Sequence, residues 1–318
     1  MKKALIIALI CFIAGVLIFG IGWGLLQKHP TEMNTVTDNV QRYGTEEAPT
    51  SIFIDTVDSR IEILPIEGDE WRVECKDKED LYHTVELKDG TLTVKQIDNR
   101  QWYDHIGIFS NLQMLSVTVY LPAKDYESLA VHSTSGSITV QEGFVFANAT
   151  LQNTSGSITS SSRVAGALNV QNTSGSITVN GRVSGDLIAK NTSGSIQVLG
   201  GVNGKLNLKN GSGRIEVKNA TPLEVEIENT SGGIRLENVV CQEKIKIENT
   251  SGSIDLERCD AMSFDLKNTS GSIRASLLSA KTFDCRSTSG SVHIPKDGNG
   301  GNFRARSVSG SIRVTVVE

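Results

Sequence analysis

Histidine, cysteine and paired carboxylates build most enzyme and metal sites, and here they are sparse and scattered. The five histidines, His29, His83, His105, His132 and His293, stand far apart with no partner close in sequence. No metalloprotease helix signature, nucleophile elbow or glycine-rich phosphate loop occurs. Beyond the apolar N-terminus the cysteines are Cys75, Cys241, Cys259 and Cys285. They lack the spacing of a zinc site or a disulfide framework. An oxidising compartment would permit a disulfide among them, but spacing names no pair. Cys285 falls on an apolar position of the repeat described below and reads as a small buried hydrophobe. No cofactor or metal is expected.

What does recur is polar and non-catalytic. The phrase NTSGSI returns with small variations, and its Ser-Gly glycines are Gly136, Gly156, Gly175, Gly194, Gly213, Gly232, Gly252, Gly271, Gly290 and Gly310. The intervals are 20, 19, 19, 19, 19, 20, 19, 19 and 20 residues. Such a period is too short for a helix pair and suits one coil of a β-solenoid. Around Gly175, apolar residues sit at Leu168, Val170, Ile177, Val179 and Val183. The same offsets recur along the chain, which marks strands with one buried face.

Alternation has a period of two, so a 19-residue coil cannot return to its starting phase. The apolar offsets change parity at Ser-Gly, so the slip belongs there. Glycine reaches positive φ without a Cβ penalty and is the natural corner residue. Three residues before it, Asn153, Asn172, Asn191, Asn210, Asn229, Asn249 and Asn268 share the parity of the inward residues. Stacked coils would place their amides in a ladder, each donating to the next. Ser133, Ser287 and Ser307 replace them in the first and last two coils, as expected of atypical end repeats. The Asn-Thr-Ser triplets are formal glycosylation sequons, but an inward Asn at a corner cannot accept a glycan. Threonine one residue after the Asn position recurs in eight copies, from Thr134 to Thr288. A single Thr column at a corner fits turn chemistry better than ice binding.

The segments before the repeats differ. Ala4–Leu26 is 23 residues without a charge, long enough to cross a bilayer. Lys2 and Lys3 precede it, which favours an N-terminus inside. The expected layout is a cytoplasmic stub at 1–3, a signal-anchor at 4–26 and a polar tether at 27–50. A β-rich lead-in and cap follows at 51–128, then the solenoid at 129–318. A cleaved signal peptide is the alternative to the anchor. Lys2, Lys3 and Lys28 carry the +3 of the first 29 residues, so a chain of −5 leaves −8 for the rest. An acidic ectodomain argues against nucleic acid or anionic lipid as its partner. In the lead-in, Trp102, Tyr103, His105 and Phe109 gather in a chain that is only 5% aromatic. They read either as packing over the open N-terminal end or as a partner patch.

The stretch LSVTVYLPAKDYESLAVHSTSGSITV, Leu115 to Val140, with the serial NTSGSI phrases, resembles the bacterial domain-of-unknown-function family 4097 of β-strand repeat envelope proteins, described as candidate adhesins. The resemblance covers most of residues 50–318. It implies a parallel β-solenoid of about ten coils and a non-enzymatic binding or scaffold role, and supplies no catalytic residue. Some relatives accompany envelope-stress regulators, so an accessory sensing role is the alternative. A polysaccharide-active β-helix enzyme is a third reading, opposed by loops too short to build a cleft. The expected location is the cell membrane, single-pass, facing outward, with a wall polymer or envelope protein as partner. The last strand, SIRVTVVE, runs out uncapped and predicts either end-to-end self-association or a partner there.

Overall fold

The computed structural model describes residues 39–44, 48–100 and 115–317. The expected membrane span at 4–26 and the aromatic group Trp102, Tyr103, His105 and Phe109 lie outside the described residues. The chain divides into the units Met1–Asn39 and Val40–Glu318, and the second is an all-β solenoid. No helix occurs among the described residues.

One coil shows how the sequence makes the fold. Leu187–Ser193 is a strand of one sheet and Ile196–Val198 a strand of the other, with Gly194 at the corner between them. Leu187, Ala189, Asn191, Ile196 and Val198 point inward and are buried, as is Val202 on the short third side. Ile188, Lys190 and Thr192 face out and are exposed. The next coil repeats this 19 residues on, pairing Leu187 with Leu206, Asn191 with Asn210 and Ile196 with Ile215, all parallel. Each fully buried Leu or Ile contributes about 1.5–3 kcal/mol, so stability comes from columns of like residues.

All ten corner glycines have positive φ, between 104° and 156°. They form a single file in which a Cβ on each would strike the carbonyl of its stack neighbour. At Gly175 that Cβ would lie 2.3 Å from the Gly156 oxygen. Steric closeness and backbone sign thus select glycine together.

Stack order departs from chain order at both ends. The strand Asn302–Ser309 lies between Ser263–Ser270 and Thr282–Ser289, and Ile312–Val316 lies between Ile273–Leu277 and Val292–His293. The C-terminal coil is therefore internal, and the expected exposed last strand is not the edge. The edge is the coil before it. Its sequence gives the reason. Pro295 cuts the second strand of that coil to Val292–His293, whereas Ile312–Val316 pairs over five residues with Ile273–Leu277. A proline-shortened strand is tolerated only at an edge. Charge agrees: Arg304 now sits between Asp265 and Asp284, which chain order would have made neighbours.

The N-terminal end mirrors this. The coil Ser51–Ile66 is inserted between Asp125–Val140 and an outer coil made of Thr91–Asp98 and Leu115–Pro122. Part of the segment 51–128 thus belongs to the stack itself. Beyond it two antiparallel strands close the end, Arg72–Asp77 on Leu115–Pro122 and Leu81–Lys88 on Thr91–Asp98.

Candidate functional site

The inward asparagines stack in register as predicted, but their amides do not pair with one another. Each Nδ2 donates to the corner glycine carbonyl of the preceding coil: Asn153 to Gly136 at 2.7 Å, Asn172 to Gly156 at 2.8 Å, Asn191 to Gly175 at 2.7 Å. The pattern continues to Asn268, which donates to Gly252 at 2.8 Å. The cause is the corner. Positive φ turns each glycine carbonyl to the buried side, and only the Asn three residues before the next corner reaches it. Leaving such a carbonyl unpaired costs about 1–3 kcal/mol. Gly and Asn therefore occur together because each answers the other. The Oδ1 atoms of all seven asparagines are buried without a partner.

Serine follows the same rule in stack order, not chain order. Ser287 Oγ donates to the Gly310 carbonyl at 2.8 Å, across the inserted coil's corner. Ser307 Oγ is buried without a partner.

Toward the N-terminus the column changes chemistry and ends in a relay that the spread of histidines along the sequence did not suggest. Ser133 pairs with Thr56, and His83 pairs with Gln96 on the strand beyond. Gln96 Oε1 accepts the Val57 and Asp58 amides, at 2.7 and 3.2 Å. His83 Nε2 is 2.8 Å from Ser59 Oγ, and its Nδ1 is 2.6 Å from Asp77 Oδ1. The expectation that the histidines lack partners is corrected for His83. This connectivity is that of a serine-hydrolase relay. Its burial is not: Ser59, His83 and Asp77 are 0, 1 and 5% exposed. A nucleophile must meet its substrate, so the relay instead closes the polar column and ties the cap strands to the stack. Its members come from the non-repeating lead-in, where no periodicity marks them.

The remaining candidates fall as follows. Cys75, Cys241 and Cys259 are buried free thiols. Burial, then the nearby Asp77 carboxylate, pushes the Cys75 thiol up to about 12. Cys285, expected to be buried, is only half-buried because its coil is the outermost. Among the described residues no cluster of His, Cys, Asp and Glu could hold a metal ion.

Beside the column runs an open groove of about 880 Å³ along the stack. The buried Asn column underlies it, exposed Thr residues from Thr134 to Thr269, broken at Gly211, edge one side, and the residues one before each Asn edge the other. That last column runs His132, Gln152, Gln171, Lys190, Lys209, Glu228, Glu248 and Lys267. Lys209 pairs with Glu228 at 3.0 Å and Lys267 with Glu248 at 2.9 Å. The neighbouring outward columns pair likewise, Lys246 with Glu226 at 2.8 Å and Arg274 with Asp255 at 2.9 Å. Exposed pairs of this kind hold register more than they stabilise.

A repeating polar trough on a parallel β-solenoid defines a class, the stacked-coil repeat proteins. The sequence matches the Toastrack DUF4097 family over residues 50–239 and 203–318, and the chain belongs to that family. No curated protein matches it. Solved structures similar to it include a candidate adhesin of Bacteroides fragilis NCTC 9343, at 14% identity over 88% of this chain and 99% of that one, TM-score 0.38. A candidate adhesin of Parabacteroides merdae ATCC 43184 stands at 14% identity over 89% and 98%, TM-score 0.35. A candidate lipid-binding protein of Parabacteroides distasonis ATCC 8503 stands at 12% over 89% and 98%, TM-score 0.32. Likeness at this level adds nothing about the groove.

Proposed function

We propose that the protein is a non-enzymatic, adhesin-like binding module of the cell envelope, held at the membrane by residues 4–26 with its solenoid outside. In this reading the groove grips an extended polymer of the cell wall. One observation carries it: the groove offers an exposed Thr at the same position of coil after coil, about 4.8 Å apart and broken at Gly211. A repeating row of donors and acceptors suits a repeating ligand lying along the stack, and offers a compact substrate no cleft. Groups that accept and donate hydrogen bonds without net charge match the hydroxyls and amides of a wall glycan.

Co-sedimentation of the chain with insoluble peptidoglycan tests the reading. Binding should fall about tenfold or more when Thr173, Thr192 and Thr230 become Val, with the melting temperature unchanged. Equal binding by the triple variant would remove the groove from consideration. Capture of a membrane regulator in place of wall polymer would favour the accessory sensing role. Loss of the chain from the membrane fraction on deleting residues 4–26 checks the anchor.

A further inference from the structure

We propose that two copies of this chain associate through the edge strand Thr282–Ser289, paired antiparallel about a two-fold axis at Cys285. Among the described residues this strand ends its sheet, so one side of its backbone has no partner strand, though Asp297 Oδ1 accepts the Phe283 amide there at 2.9 Å. Its inward residues are uncovered too. Phe283 and Cys285 are half-buried, whereas Phe264, Leu266, Phe303 and Ala305 at the same positions of the two preceding coils are buried. Val292 and Ile294 on the same coil are 36 and 42% exposed. An unpaired edge beside open apolar surface recruits another strand unless something covers it. The opposite end is already closed by the antiparallel strands Arg72–Asp77 and Leu81–Lys88. Head-to-tail stacking therefore meets a cap, while a two-fold arrangement joins open end to open end.

The strand's own sequence selects a second copy and fixes the register. Pairing TFDCRST antiparallel about Cys285 sets Asp284 opposite Arg286 of the partner subunit, and Thr282 opposite Thr288 of the partner subunit. Cross-strand pairs of these kinds are favourable. A two-residue slip one way sets Asp284 against itself, and the other way sets Arg286 against itself. A one-residue slip turns the apolar face outward. The Arg306 guanidinium, hydrogen-bonded to Asp284, holds that carboxyl below the usual carboxylate range and keeps it charged.

Oxidation of the full-length chain in membranes with copper–phenanthroline tests the pairing. Facing Cα atoms of an antiparallel pair lie about 4.5–5.5 Å apart, within disulfide reach. Because burial pushes the Cys285 thiol up to about 11, the reaction is best run on the alkaline side. The expected product is a disulfide dimer on a non-reducing gel that Cys285→Ser abolishes. In detergent, sedimentation should show Asp284→Arg and Arg286→Asp each lowering the dimer fraction severalfold, and the double exchange restoring it. A chain that stays monomeric at high concentration with no Cys285-dependent product overturns the association. A dimer indifferent to the charge exchanges overturns the register, and a Cys285 adduct to a different protein overturns the second copy as occupant.

Discussion

The two ends of the stack solve one problem in different ways. Each receives its terminal coil inside the stack and leaves another coil outermost. At the N-terminal end the outermost coil is then closed by antiparallel strands and a buried Ser59–His83–Asp77 relay. At the C-terminal end no closing strand occurs among the described residues, and the inward residues of the outermost strand are half-buried. Repetition in a sequence thus specifies what each coil looks like without specifying its neighbours. Neighbours are chosen by the residues that break the repeat: Pro295, Arg304, and the lead-in's Gln96 and His83. Lys281, buried and bound to Asp260 at 2.6 Å and to the Gly300 carbonyl at 2.6 Å, anchors the loop that lets the chain double back.

Substitutions in the interior and at the open end sharpen this contrast. The largest effect is expected at the corners. Gly194→Ala forces a Cβ to within 2.2 Å of the Gly175 carbonyl oxygen at φ +120° and should cost about 3 kcal/mol or more in denaturant unfolding. At Gly290, on the outermost coil, the Cβ would meet the Gly310 carbonyl oxygen at 2.4 Å, but that coil has one free side to shift into, so Gly290→Ala should cost less. Equal losses would mean that the end coil is as constrained as the interior.

Next come the ladder positions. Asn191→Ala orphans the Gly175 carbonyl and should cost about 1–3 kcal/mol. Ser307→Ala removes a hydroxyl that is buried without a partner, so it should be neutral or stabilising. Thermal melts of the two variants side by side check this, and a Ser307→Ala loss as large as that of Asn191→Ala would contradict it.

The smallest effect is silent at neutral pH. Cys75 lies on the closing strand Arg72–Asp77 with its thiol raised from 9.0 to about 12, chiefly by burial. A raised folded value favours the folded state fully below pH 9 and loses that contribution as pH climbs through about 12. Stability should therefore fall over this window, and less steeply in Cys75→Ala. Identical alkaline profiles would show that the cap end opens before the thiol titrates.

Much of the coil was legible from residues alone. The parity change at Ser-Gly located the corner, and the matching parity of Asn172 and Val170 put both inside. The amide's true partner was not legible, because whether Asn reaches a neighbouring amide or a glycine carbonyl depends on which way the corner carbonyl turns. Stack order was hidden for a related reason. Residues such as Phe264, Phe283 and Phe303 fit either arrangement, and only Pro295 and the Asp265–Asp284 repulsion distinguish them. The His83 relay lay beyond reach because its three residues come from different strands of a segment without a period.

Paired cysteines at exposed corner positions test the stack order most directly. Ser270 faces Ser309 across adjacent parallel strands, with Ser289 one strand further on. The predicted result is rapid disulfide formation in Ser270→Cys/Ser309→Cys and none in Ser270→Cys/Ser289→Cys. Crosslinking of the second pair in preference to the first would contradict the inserted C-terminal coil, and with it the open end built on coil 282–293.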